Sequence, residues 1–252
     1  MELIRFYNVA DGIVAGTTGR GVVGNGNSYS GFNICHYVGD KPNHTDACLH
    51  NLADILGLPI ENIISPRQIH SDKVVVVSEI ADFRNVEADA LVTNLPDVAV
   101  GINTADCVPV LLADTADGIV AAIHAGWRGI VKGIIGKTVG IMSDLGACPA
   151  EIKAVIAPAI CADCYEVGED VATVFRDAGL DDCVDAHGAR PHIDLPKAAL
   201  IQLIVEGVAA ENISVADDCT RCNPQRYFSA RRLGIDSGRN FSFIYRKSSS
   251  TK

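Results

Sequence analysis

Short apolar runs separated by turn residues dominate the middle of the chain. Lys73 to Val77, Ala90 to Thr93, Val98 to Ile102, Val108 to Ala113 and Ile119 to Ile123 predict strands, each bounded by Gly, Asn, Asp or Pro. Ile152 to Ile156, Ile213 to Ala216 and Phe241 to Tyr245 predict three more. Helical spacing appears elsewhere. Leu49, Leu52, Ile55 and Leu56 place a helix over Thr45 to Leu56, ended by Gly57. Val131 to Met142 predicts a second, with Ile134, Ile135, Thr138 and Ile141 inward, and Glu166 to Arg176 a third, with Val167, Val171, Val174 and Phe175 on one face. Asp194-Leu195-Pro196 reads as a helix start, with Asp as N-cap and Pro in the first turn. Leu200, Ile201, Ile204 and Val208 continue its apolar face.

The Gly- and Asn-rich stretch Gly19 to Asn27 predicts turns and hairpins, and the polar tail Ser248 to Lys252 a frayed end. Strands and helices mix without strict βαβ alternation. That favours an α+β, mixed-sheet architecture over residues 1–252 as a single domain.

A chain of 252 residues, 48% hydrophobic and 21% charged, can bury a core without disulfides. Its formal charge of −10 repels polyphosphate and argues against nucleic acid as a partner, though a local basic site can still hold a small anion. No apolar segment approaches the roughly 18–20 residues of a membrane span. The segment Met1 to Asn8 lacks a basic stretch followed by an apolar run. These features predict a cytoplasmic protein. Its nine cysteines then read mainly as buried thiols, with one or two as ligands or nucleophiles.

Gly19-Arg-Gly21-Val-Val-Gly24 matches a dinucleotide fingerprint in letters only, because Asn25-Gly26-Asn27 breaks the helix that must follow. Cys161/Cys164 and Cys219/Cys222 form two CxxC pairs. They stand more than about fifty residues apart, beyond the usual zinc-ribbon spacing, so plain thiols are expected there.

A stronger constellation is His70, Cys107 and His124, each at the edge of a predicted strand beside turn residues. Two imidazoles and a thiolate suit a catalytic Zn²⁺ with one open position, although a histidine at a strand end is also an ordinary satisfied polar residue. After His124 comes Ala125-Gly126-Trp127-Arg128-Gly129, with the only Trp of the chain. It offers a stacking face and a guanidinium fork, or else a tight turn with Trp127 in the core. Arg221, Arg226, Arg231, Arg232 and Arg239 form a local basic cluster, either a solvated loop or an anion site.

Together these segments resemble the YfiH/laccase-domain family, formerly described as multicopper polyphenol oxidases. The resemblance rests on Gln68-Ile-His70, Glu87 to Thr93, Thr104-Ala-Asp-Cys-Val-Pro-Val110, His124 to Gly129, Cys164-Tyr-Glu-Val-Gly168, Asp194-Leu195, Cys219-Thr220 and Phe228 to Arg232 with Gly238-Arg239. It implies an α+β layered sandwich of mixed sheets, related to a cysteine-hydrolase-like toxin fold. It also implies a single zinc on His70, Cys107 and His124. The expected activity is phosphorolysis of purine nucleosides (adenosine, inosine, guanosine, methylthioadenosine), with adenosine deamination in some members. Purine nucleosides and phosphate are the implied partners.

Asp106 and Arg128 are then the candidate catalytic residues, the first as orienter or general acid, the second as phosphate anchor. Gln68, Trp127, Phe228 and Arg231 are candidate substrate contacts. Seven scattered His cannot supply the several copper sites that multicopper oxidation needs. Leu49 stands where the family often has an Arg, so another cation must meet phosphate, with Arg231 second to Arg128. Two other readings stand beside this one: a cysteine hydrolase with Cys107 as nucleophile and His124 as base, and a non-enzymatic, metal-stabilised module that binds a partner protein.

Overall fold

The computed structural model describes residues 2–24, 26–186 and 188–248. The chain begins with strands β1 (Ile4–Tyr7) and β2 (Ile13–Thr18), then helix α1 (Pro42–Leu56) and the short β3 (Ile63–Ile64). Next come β4 (Val74–Val76), β5 (Ala90–Thr93), β6 (Ala99–Thr104), β7 (Val108–Asp114) and β8 (Ile119–Ala125). Helices α2 (Trp127–Val131) and α3 (Ile134–Asp144) lead to β9 (Lys153–Ile156), α4 (Glu169–Asp177), β10 (Val184–Asp185) and β11 (His192–Ile193). The last third holds α5 (Leu195–Val205), β12 (Ile213–Val215), α6 (Ala230–Leu233) and β13 (Asn240–Arg246).

Two mixed sheets stack face to face. One runs β1-β2-β13-β6-β3 and the other β12-β9-β7-β8-β5-β4. Side-chain alternation along β7 and β8 explains why both strands read as unbroken apolar runs. Val108, Val110, Leu112, Ile119, Ala121 and Ile123 pack under α3 and α5, while Leu111, Ala113, Val120 and Ala122 fill the space between the sheets. Each Val, Leu or Ile among them contributes about 1.5–3 kcal/mol on leaving water before entropy is counted, so this double burial dominates the core. Helix α1 covers the outer face of the first sheet, where Cys48 and Leu52 meet Phe241, Phe243 and Tyr245. The result is the expected α+β layered sandwich, ordered helix, sheet, sheet, helices.

Local signals account for most boundaries. Gly57 ends α1 in the left-handed region, and Asp194 caps α5 by accepting a hydrogen bond from the Lys197 N–H at 2.9 Å. Helix α1 starts three residues earlier than expected because Pro42 takes its first turn. The helix expected over Val131 to Met142 is divided in two at Gly133, whose φ of 75° only glycine adopts freely. Helix α4 begins after Gly168 rather than at Glu166, and its apolar face is narrower than expected, with Val174 largely exposed and Phe175 buried. Along α5, Ile204 is likewise turned outward and Ala198, Ala199 and Leu203 face the core.

Residues 19–24 and 26–27 are irregular, with bends at Val22 and Gly26 in place of the expected turns and hairpins, and among the described residues no helix follows before Pro42, which agrees with setting the dinucleotide pattern aside. Asn25 of that stretch and residues 249–252 of the expected tail lie outside the described residues.

Candidate metal centre and active pocket

Three segments converge at the strand ends of β7 and β8, in the middle of the six-stranded sheet. His70 lies in the loop before β4, Cys107 in the tight link between β6 and β7, and His124 inside β8, one residue further into the strand than expected. Antiparallel pairing of β7 with β8 sets Val108 opposite Ala125 and Pro109 opposite His124, so Cys107 and His124 meet at the strand ends. Donor atoms of His70, Cys107 and His124 all lie within 4.8 Å of one another. Gly126 keeps the adjoining space clear. A Cβ there would stand 3.2 Å from Cys107 Sγ, 3.3 Å from His70 Cδ2 and 3.6 Å from His124 Nε2. Two imidazoles and one thiol around a space that a single methyl group would fill are a fitting donor set for a metal ion.

Asp89 organises this trio and was not singled out in the sequence. Its Oδ1 pairs with His124 Nδ1 at 2.8 Å and accepts the His70 N–H at 3.0 Å. Its Oδ2 accepts from both the backbone N–H and the hydroxyl of Ser71 at 2.6 Å, and its backbone carbonyl accepts the His124 N–H at 2.7 Å. One buried carboxylate therefore fixes the His124 tautomer and holds the loop that carries His70. This is the arrangement by which outer partners orient metal-binding imidazoles.

The electrostatics follow from these contacts. Burial raises the Cys107 thiol, but His124 and His70 outweigh it and bring it down to about 6. Burial lowers His124, but the Cys107 sulfur and Asp89 outweigh that and raise it to about 9. Burial likewise works against the Asp89 carboxylate, yet His124 and Ser71 hold it down at about 2. The sulfur is thus favoured as thiolate, the form that binds metal or attacks an electrophile.

Above the trio opens a pocket of about 330 Å³, within the roughly 300–1,000 Å³ usual for small-molecule sites. Gln68, Asp106, Trp127, Arg128 and Arg231 all line it. Arg239 of the basic cluster also lines it, as do Tyr37, Asn103 and Tyr165, which were not marked in the sequence. Of these three, only Tyr165 carried a signal, through its place in the Cys164 to Gly168 motif.

The predicted residues differ in what they leave free. Gln68 Oε1 accepts from Tyr37 and from the Asn103 N–H, and its Nε2 donates to the Asn103 carbonyl, so its amide serves the protein. Asp106 accepts from Thr220 Oγ1 at 2.7 Å through Oδ1 and from the Arg231 N–H at 2.7 Å through Oδ2. These bonds hold it at φ 90°, and His70 sits at φ 56°. Left-handed backbone at such residues costs about 1–3 kcal/mol and persists only where neighbours impose it.

Arg231 stacks on Tyr165 and donates to the Glu166 carbonyl at 2.7 Å. Arg128 stacks 4.3 Å above Trp127, and among the described residues its guanidinium has no hydrogen-bond or ion-pair partner. Trp127 packs against the core and also lines the pocket. Phe228 is the exception. It is fully buried beneath Arg20, outside the pocket lining, because its ring is needed to fill the space against Gly238. Leu49 lines a separate cleft with His36 and Arg84.

The model of the family described as multi-copper polyphenol oxidoreductase laccase matches residues 14–247. The chain belongs to this family. Among curated relatives in this laccase-type family, adenosine deaminase RL5 from an unknown prokaryotic organism is 43% identical over 259 residues, covering 98% of this chain and 99% of its own. A purine nucleoside phosphorylase of Deinococcus radiodurans is 38% identical over 228 residues, covering 90% and 87%. The crystal structure of the hypothetical protein YfiH from Bacillus licheniformis superimposes with a TM-score of 0.88 at 29% identity, covering 93% of each chain. YlmD from Geobacillus stearothermophilus gives 0.88 at 29% identity, covering 94% and 93%. Among the described residues, no helix is long and apolar enough to cross a membrane.

Proposed function

We propose that this chain is a zinc-dependent purine nucleoside phosphorylase, acting as one domain in the cytoplasm. The observation that carries the reading is the meeting of His70, Cys107 and His124 at the floor of a pocket walled by aromatic rings and guanidinium groups. Relatives named purine nucleoside phosphorylase supply the reaction class. One imidazole pair with one thiolate makes a single mononuclear site, which cannot supply the several copper centres of multicopper oxidation and so supports the zinc reading. When bound there, zinc supplies Lewis-acid chemistry at the pocket floor.

The chain's own residues do the rest. A phosphate oxygen attacks ribose C1′, the bond from C1′ to the purine nitrogen breaks, and its electron pair leaves on the base, which takes up a proton. Ribose 1-phosphate and free purine result. Trp127 and Tyr165 offer faces for the purine, and Arg128 offers its unpaired fork to phosphate. Asp106 commits both oxygens to Thr220 and Arg231, which suits a positioning role beside Cys107 better than that of an acid. Gln68 orders Tyr37 and Asn103 rather than meeting substrate itself. A cytoplasmic setting suits the nine cysteines, all present as thiols.

Adenosine deamination is a second reading, favoured by the 43% identity to a protein named adenosine deaminase. A nucleoside panel with and without phosphate separates them. Phosphate-dependent release of free purine with ribose 1-phosphate supports phosphorolysis. Phosphate-independent conversion of adenosine to inosine alone supports deamination. Sustained oxygen uptake with phenols by copper-free protein would overturn both.

A further inference from the structure

The two CxxC pairs that looked unrelated in sequence meet in space. Strands β9 and β12 run parallel as neighbours, so the loops leaving them emerge side by side. The pairing continues past the strands, with Ala159 bridged to Cys219 and the Thr220 N–H donating to the Ala159 carbonyl at 3.0 Å. Cys161 and Cys164 on one loop thereby face Cys219 and Cys222 on the other, and all four Sγ atoms lie within 4.8 Å of one another.

We propose that Cys161, Cys164, Cys219 and Cys222 form a second metal site, a closed tetrathiolate that holds one structural zinc ion. A Zn–S bond near 2.3 Å places tetrahedral sulfur ligands about 3.8 Å apart. The cluster is close to that spacing, with Cys164 and Cys222 sulfurs at 3.4 Å. The surroundings match a thiolate site as well. The Cys161 N–H donates to Cys219 Sγ at 3.3 Å, and each pair is wound into a tight turn, Cys164 N–H to Cys161 carbonyl at 3.1 Å and Asn223 N–H to Cys219 carbonyl at 3.1 Å. Arg221 lies against the Cys164 sulfur, where a cation offsets the net negative charge of four thiolates around a divalent ion. Four sulfur ligands leave no open coordination position, so the site is structural rather than catalytic.

Its place in the fold gives it a task. Tyr165, next to Cys164, walls the pocket, and Thr220, next to Cys219, donates to Asp106. A metal joining the two loops fixes both contacts at once. This assignment stands whether or not the pocket is a phosphorylase site.

The test begins with Cys107→Ser protein, which removes a ligand of the first site. Metal analysis is expected to find one zinc per chain, and adding Cys164→Ser with Cys222→Ser is expected to remove it. A second measurement avoids substitution. Cobalt(II) added to metal-free, reduced wild-type protein is expected to give the strong thiolate-to-metal absorption of a tetrahedral tetrathiolate. Zinc bound first is expected to suppress it and to protect Cys161, Cys164, Cys219 and Cys222 from alkylation, besides Cys107 of the first site. Intact-mass evidence of two disulfides in protein isolated under metal-replete, reducing conditions would overturn the proposal. So would cobalt spectra showing only the mixed nitrogen and sulfur site, or four cysteines that alkylate equally with and without zinc.

Discussion

His70, Cys107 and His124 come from three segments within 55 residues and open onto a pocket, whereas Cys161, Cys164, Cys219 and Cys222 come from two loops distant in sequence and cluster outside that pocket's lining. In the first cluster, mixed donors stand on strand ends held by a carboxylate, and one side stays open. In the second, four equal donors sit on paired turns and close on themselves. The difference teaches that position, not donor type alone, separates a site for chemistry from a site for architecture. A thiol at the mouth of a cavity beside two imidazoles is poised to react or to hold a reactive ion. Four thiols between loops can only tie those loops together.

The largest expected effect tests the first half of that contrast. Cys107→Ser is expected to lower zinc content at the trio and cut nucleoside turnover by more than about 100-fold, since a hydroxyl is a far poorer ligand than a thiolate. Circular dichroism is expected to show the fold retained. If the variant keeps its metal there and still loses all turnover, Cys107 is a nucleophile and the cysteine-hydrolase reading replaces the metal one.

Next in size is Arg128→Ala. Losing a charge-assisted bond of about 1.5–3 kcal/mol is expected to raise the apparent KM for phosphate by roughly 10–150-fold, with little change for nucleoside. Its stacking on Trp127 is exposed and worth only about 0.5–1 kcal/mol, so the melting temperature should barely move. A lowered melting point with unchanged phosphate dependence would make Arg128 a brace and direct the search to Arg231.

Asp89→Asn comes third. An amide cannot accept all the bonds that this carboxylate accepts, and loss of such an orienting group typically weakens metal affinity by about 10–100-fold. Competition with a chelator measures the change. Unaltered zinc affinity would mean the strand ends alone shape the trio.

The smallest effect on turnover belongs to the second cluster. Cys164→Ser with Cys222→Ser is expected to lower the melting temperature by several degrees while changing kcat by less than about 10-fold, because the altered residues lie outside the pocket lining. A collapse of kcat at unchanged melting temperature would erase the distinction between the two clusters.

Much of this was legible along the chain where burial is two-sided. Strands β7 and β8 announce themselves because every residue from Val108 to Asp114 and from Ile119 to Ala125 is buried, and the polar ones, Asp114 and His124, fall only at or next to the strand ends. Strands β1 and β2 were not resolved from the turns around them. β1 is an edge strand with Phe6 half-exposed, and β2 carries Gly16 and two threonines among its six residues. The trio was visible because each member sits at a strand boundary, a one-dimensional feature. The four cysteines were not. Their approach depends on the parallel pairing of β9 with β12, which no spacing rule within a single segment encodes. Asp89 was not singled out for a similar reason: its segment, Glu87 to Thr93, was noted for the resemblance, but its partners lie 18 to 35 residues away.

One feature of the first sheet bears on how the protein comes into being. Strand β13 is the last strand in chain order among the described residues, yet it lies at the centre of its sheet, paired with β2 on one side and β6 on the other. Until a ribosome has delivered Asn240 to Arg246, β2 and β6 have no common neighbour, and the aromatic residues Phe241, Phe243 and Tyr245 that α1 packs against do not yet exist. The nascent chain therefore carries β1, β2 and α1 unclosed until translation reaches β13, and only then can the first sheet be completed.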